Sequence, residues 1–428
     1  MALRQQIQAL ETRLTKLLHL DVRFYGKSFF LMSLGQASGI VRGVATTFLM
    51  ARWLPRNTMG EFRYVLAVFG IAGMFSLSGL FSSVIRGVAK GDTVIARVAL
   101  KRIIAFSPLG SLLLVGAGIE RYYVAHETTV AIALGIAALI FPLYSVSGLY
   151  GPILTGKEEI KRLVTRAILN NLTFALCFFL VIWRTKELLP VVLAYFVFDV
   201  IFRGILTIIE FKRMPSKGDA TEHLALGTHL TAIGVFQTLA SQLDSILLQR
   251  FAGYGMLANY SIASLIPEQM KDFVNAMSGI VLRRFSQREN TSKTLRETRR
   301  HFMTVVGFSV IFILGYAAVV PFVLPWLFPQ YRNEVLPSVV YAIGLVGLGS
   351  IVGLNYFQAH NQIRRLWVFY IVNTILQIGS NLALIPFFGA WGAVFSKTGT
   401  RLLSVGFSFP TSTREETKEK IPETPRLD

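Results

Sequence analysis

A single cysteine, Cys177, is all that 428 residues provide, and it sits inside a long apolar run. No disulfide framework and no thiolate metal site can be built from it. Histidine is sparse as well, six residues scattered without metal-binding spacing. No glycine-rich nucleotide loop occurs, so no cofactor is expected. Charge is scarce, at 16% of residues, where a soluble chain carries about a quarter. Within that charge the acids are the minority, 24 Asp and Glu against 43 Lys and Arg.

What remains is apolar. Hydrophobic residues make up 53% of the chain and its mean hydropathy is positive. Apolar runs recur along the whole sequence, each near the ~20 residues that a helix needs to cross the hydrocarbon core. They lack the alternation of barrel strands, which leaves helices as the spanning structure. The expected fold is all-α and polytopic, with about 12 transmembrane helices. Their segments are 29–53, 62–85, 103–119, 128–154, 163–183, 188–211, 224–249, 257–282, 302–328, 335–359, 366–388 and 390–410.

The net charge of +19 invites a nucleic-acid reading, but its distribution points elsewhere. About 30 of the Lys and Arg fall in alternate loops, and the opposite loops hold about eight. Arg86 to Arg102, Lys157 to Arg166 and Arg283 to Arg300 are examples. That bias is the positive-inside pattern, which places both termini in the cytoplasm; the expected location is the cell (inner) membrane. No nucleic-acid partner is expected.

Four regions follow. Residues 1–27 carry Leu3, Ile7, Leu10, Leu14 and Leu17 on one helical stripe, the signature of an amphipathic interfacial segment. Residues 28–214 and 215–410 form two six-helix lobes, and 411–428 form a polar, disordered tail. The division rests on a faint repeat. "FLMARWLPRNTMGEFRY" and "QLDSILLQRFAGYGMLANYS" align Arg52 with Arg250, Gly60 with Ala258 and Phe62 with Tyr260. Parallel repeats about an axis along the membrane normal suit alternating access, with cargo held between the lobes.

Charge inside the bilayer costs ~2.5–3.5 kcal/mol at a helix centre, so each instance is a candidate site. Arg42, in "SGIVRGVATTF", is the sharpest, because its own segment offers no acid. A guanidinium there suits an anionic group, and phosphate in particular. Asp244 is a candidate for pairing with a cation of the first lobe, or for holding H+ or Na+. Asp199 and Arg203 are spaced to share a helix face and neutralise each other. Glu268 and Lys271 are spaced likewise, with Asp272 next to them. Lys397 and Arg401 have no local acid: they line a watery cavity or reach for the cytoplasmic face, the latter favoured for Arg401. Substrate-binding candidates are Arg42, Lys271, Lys397 and Arg401. Candidates for ion coupling or lobe pairing are Asp244, Asp199 and Arg203. Tyr144, Tyr150, Tyr195 and Phe202 are candidates for stacking on sugar rings, or plain packing.

With "MGEFRY", "QLDSILL" followed by "ANYSIAS", and "FGAWGAVFSKTG" in view, the chain resembles the oligosaccharide flippases of the MOP exporter superfamily over about residues 25–410. The resemblance implies two six-helix lobes and a cationic central cavity. It also implies transfer of a polyprenyl-diphosphate-linked glycan from the cytoplasmic to the outer leaflet. "GIVRG" matches the first-span "GFVRD" of the lipid II flippases, with Arg42 on the arginine. Their eighth-span arginine falls near Leu265 here, with Lys271 more than a turn further on, and their two extra C-terminal helices have no counterpart. Both departures argue against lipid II. The drug-exporting MATE branch has a first-span acid where this chain has Arg42.

The expected partners are therefore an anionic lipid-linked glycan, membrane lipid, H+ or Na+, and other glycan-assembly membrane proteins. Two rival readings stand: an ion-coupled small-molecule exporter, and a membrane glycan polymerase or ligase. The second needs acids or histidines grouped on an outer loop. Glu61, Glu120, Glu127, Glu187 and Glu334 are isolated in short ones.

Overall fold

The computed structural model describes residues 22–215, 218, 221–286, 292–359 and 362–408. The expected amphipathic segment up to residue 21 and the tail from 409 lie outside the described residues. Every regular element described is helical. In chain order they are α1 (Val22–Trp53), α2 (Arg56–Ala72), α3 (Gly79–Ala89), α4 (Val94–Tyr123), α5 (Thr128–Ser147), α6 (Tyr150–Gly156) and α7 (Ile160–Thr185). Then follow α8 (Leu188–Lys212), α9 (Thr221–Ser286), α10 (Ser292–Leu327), α11 (Val335–Ile343), α12 (Gly349–Ala359), α13 (Ile363–Phe388) and α14 (Ala390–Ser408).

The breaks have local causes. Pro55 lacks an N–H and is extended (φ −56°, ψ 147°), so α1 ends before it and α2 starts after it. Leu77 adopts the left-handed conformation (φ 51°) where α2 and α3 meet at a 48° bend. Gly253, at φ 80° and ψ 175°, breaks the 66-residue α9 into two arms in a conformation that few side chains tolerate. The corner in "QRFAGYGM" that ends one predicted segment and begins the next is this glycine.

Among the described residues, seven helices are long and apolar enough to cross a membrane, and eight if the bent α2–α3 pair is one span. The shortfall from about twelve is confined to α1, the two arms of α9, and α14. Those are the helices that carry Arg42, Asp244, Glu268, Lys271, Lys397 and Arg401. Their polarity has a use only if it faces protein or a cavity. Large apolar side chains lie on the outer surface: Leu139 is 81% exposed, Phe387 83%, and Phe322 and Trp326 77% each. Side chains of that kind are stable in contact with acyl chains and costly in water. The chain is a multi-pass membrane protein.

Packing is close where glycines allow it. α1 lies on α7, α5 on α4 and α8, and α13 on α9 and α14, while α2 and α3 lie along α9. Gly60 of α2 sits under the backbone of Tyr254, where an added Cβ would come within 1.9 Å of the carbonyl oxygen. Thus the two corners matched by the repeat touch each other. The core beneath is aromatic, with Phe62, Phe174, Phe178 and Tyr195 in edge-on and stacked contacts at 5.3–6.4 Å.

Candidate functional site

Three helices build the first polar cluster. Arg42 of α1 donates through Nη1 to Asp199 Oδ1 at 2.9 Å and to Asn171 Oδ1 at 3.4 Å. Arg203, one turn beyond Asp199 on α8, donates to Asp199 Oδ2 at 2.9 Å. Asn170 of α7 donates to Oδ1 at 3.1 Å, and Asn171 donates to Ser38 Oγ at 2.9 Å. Aromatic faces complete the setting: Arg42 lies 3.6 Å from the Phe174 ring centre and Arg203 5.2 Å from that of Tyr144. Such faces hold a guanidinium without neutralising it.

Asp199 is 3% exposed, while Arg42 and Arg203 are 18% and 24% exposed. Two cations on one buried acid leave one net positive charge. It borders a cavity of about 300 Å³ lined by Arg42, Tyr150, Asn170, Asn171, Asp199 and Arg203. Local spacing makes Arg42 an unneutralised cation and Arg203 a self-sufficient partner of Asp199. The structure corrects both readings: one carboxylate serves two arginines, and the acid that Arg42 lacks in its own segment is supplied by α8.

The second cluster joins α9 to α14. Asp244 is 2% exposed. Its Oδ2 accepts from Lys397 Nζ at 2.9 Å and from the Tyr260 hydroxyl at 2.7 Å, and its Oδ1 from the Ser245 N–H at 2.8 Å. Of the alternatives open to Asp244, the structure shows an interhelical pair, and its cation is Lys397 of the last helix, not one of the first lobe. One turn along α14, Arg401 donates to Glu268 Oε1 and lies over the Tyr341 ring. Tyr341 donates to the same oxygen, and Lys271 to Oε2. Arg401 is therefore held inward by an acid of α9 and does not reach for the membrane face. Its side chain is 16% exposed. Lys271, Lys397 and Arg401 line one cavity of about 680 Å³. Arg42 lines the other, so the four substrate-binding candidates are divided between two hollows.

A buried carboxylate stripped of its partner costs ~3–5 kcal/mol. Lys397→Met is therefore expected to lower the thermal stability of the detergent-purified protein sharply. Adding Asp244→Asn is expected to restore most of the loss, because Tyr260 and Ser245 can still bond a neutral amide. Melting curves of the two variants check the pair.

Sequence reasoning passes over several polar residues. Asn170 and Asn171 are visible as a carboxamide pair in "LNNLTF", inside an apolar run. Glu210, 0% exposed, accepts from Lys157 at 3.1 Å and Arg166 at 2.7 Å and lies 3.4 Å from Arg162. It ties Lys157, just past α6, and the first turns of α7 to the end of α8. Arg63, midway along α2, donates to Thr47 Oγ1 at 2.7 Å. Among the sugar-stacking candidates, Tyr195 is packed against Phe62 and Phe174, and Tyr144 packs on Phe69 and under Arg203. Of the four, Tyr150 borders the smaller cavity.

A family model described as "Polysaccharide biosynthesis protein" matches residues 25–287. No curated protein matches the sequence. Among solved structures, the lipid II flippase MurJ in an inward closed conformation superposes with a TM-score of 0.64 at 13% identity, over 89% of this chain and 86% of that one. The MATE multidrug transporter DinF-BH gives 0.66 at 13% identity, over 89% and 92%. A MOP superfamily transporter from Pyrococcus furiosus, described by the reverse polarity of its binding pocket, gives 0.60 at 13%, over 89% and 93%. At such identity the likeness is one of fold. These three structures are a flippase and two transporters, not enzymes.

Proposed function

The chain belongs to the polysaccharide biosynthesis protein family, and from that premise we propose that it flips a lipid-linked oligosaccharide with a polyprenyl diphosphate headgroup across the cytoplasmic membrane. The observation that supports this most is the surplus positive charge at Asp199. Among the described residues, Arg42 and Arg203 each engage partners through Nη1 alone. The other donors of each fork remain for a ligand, and a diphosphate can accept from both forks while Asp199 keeps its pairs. The isoprenoid tail stays in lipid.

Halves 28–214 and 215–410 then rock about this site, with the basic loops and both termini in the cytoplasm. Lys271, Lys397 and Arg401 belong to the second half of the cargo pathway. Asp244 is a coupling site for H+ or Na+ only in a state where Lys397 has withdrawn, since the ammonium fills that place in the present geometry. Enzymes of glycan assembly are the natural protein partners, as they supply and consume such a cargo.

A cationic drug would meet two arginines and one acid at Asp199, a poor balance for its charge. Reconstituted vesicles separate the readings. The protein should expose a fluorescent polyprenyl diphosphate glycan to an outer-leaflet quencher, and should leave a trapped cationic dye in place. Dye efflux without lipid transfer would reverse the assignment.

A further inference from the structure

The larger cavity differs from the smaller one in charge. Its three cations, Lys271, Lys397 and Arg401, stand against three acids, Glu268, Asp244 and Asp272, all drawn from α9 and α14. The sum is zero. No net charge is left there to attract a free ion, and the one unpartnered buried donor among these six groups is Arg401 Nη1.

What the cavity does offer is neutral polarity. Gln237 and Thr238 of α9 and Asn373 and Thr374 of α13 line it. Among the described residues, no hydrogen bond engages any of these four side chains. Gln237 is exposed in the middle of the first arm of α9, which is tolerable in a membrane only beside water or a polar ligand. A carboxamide both donates and accepts, as does a hydroxyl. Four such groups around one hollow match the hydroxyl and acetamido groups of sugars, and they match no ion in particular. Phe369 and Tyr370 on the same wall add apolar faces. At about 680 Å³ the volume lies within the usual range for ligand pockets, ~300–1,000 Å³.

We infer that this cavity is the glycan subsite: it takes the neutral sugar rings of the cargo, while the charged headgroup is held at Arg42 and Arg203. The inference rests on the flippase reading and adds to it a division of labour between the halves. Recognition of the sugar then falls to Gln237, Thr238, Asn373 and Thr374, and recognition of the lipid class to the arginines.

The test compares two lipids on the full chain in nanodiscs: undecaprenyl diphosphate, and the same lipid bearing a short N-acetylhexosamine oligosaccharide. The unsubstituted chain should bind the glycosylated lipid more tightly. Gln237→Leu with Asn373→Leu should weaken that binding by about tenfold, the worth of one or two neutral hydrogen bonds, and leave the sugar-free lipid unchanged. Unchanged binding of the sugar-free lipid doubles as the check on folding. The free oligosaccharide should compete only with the glycosylated lipid. Equal binding of the two lipids by the unsubstituted chain, or an equal loss on both in a variant that melts normally, would overturn the subsite. Binding of neither lipid would instead sink the flippase reading, and the subsite with it.

Discussion

Arg42→Ala should lower lipid-linked glycan translocation by about a hundredfold while the protein still folds. The loss follows from one fork of a two-fork clamp. A charge-assisted, partly buried contact to phosphate is worth ~2–5 kcal/mol when one partner is truncated, and each 1.36 kcal/mol is tenfold in rate. Folding survives because Asp199 is not orphaned: Arg203 still reaches Oδ2 at 2.9 Å and Asn170 still reaches Oδ1 at 3.1 Å. Arg203→Ala should behave alike, since Arg42 and Asn170 then hold the acid. Arg42→Lys keeps the charge and loses the planar fork, so it should fall between, near tenfold. Asp199→Ala is the contrasting case. It leaves two guanidiniums without their shared acid and should cost folded protein rather than turnover alone. Vesicle flipping assays and size-exclusion profiles of the four variants check the ranking. Undiminished flipping by Arg42→Ala would remove the headgroup site.

The helices are legible in the sequence because hydrocarbon leaves the backbone no other choice, and their ends because Pro55 and Gly253 each interrupt the pattern in a known way. The pairs Asp199–Arg203 and Glu268–Lys271 are legible too, being one turn apart on a helix. What is not legible is everything that crosses the fold. Arg42 and Asp199 are 157 residues apart, Lys397 and Asp244 153, Arg401 and Glu268 133. A charge seen without a local partner reads as free, and all three of these cations read that way. Spacing alone sends Arg401 to the membrane face on that ground, whereas an acid on another helix draws it inward. The neutral lining of the larger cavity escapes for a different reason. Isolated Gln, Asn and Thr in apolar runs are common helix–helix glue, and only the hollow between α9 and α13 marks Gln237 and Asn373 as unspent.

Gly60→Ala should abolish turnover and open the end of the molecule where α2 meets the break in α9. The reasoning starts from the seam. A Cβ on Gly60 would lie 1.9 Å from the Tyr254 carbonyl oxygen and 2.5 Å from its carbon. Both atoms are backbone, so no rotamer change relieves the clash, and α2 must part from α9. In an isolated helix the same substitution would stabilise by ~1 kcal/mol. A pure folding effect and a seam effect therefore have opposite signs. If the halves rock, parting this seam shifts the population away from the closed form. About 5.5 kcal/mol suffices to turn a 99:1 equilibrium over, and backbone overlap of this size is of that order or more. Ser241→Cys on the wall of the larger cavity, in a chain with Cys177→Ser, reports the outcome. An impermeant maleimide added on the Tyr254 side should label it in Gly60→Ala and not in the parent. Gly116→Ala, with nothing within 4 Å of its Cβ position, should behave as the parent. Normal transport by Gly60→Ala with the reporter still shielded would mean that this seam stays shut throughout the cycle, and that the halves do not rock about it.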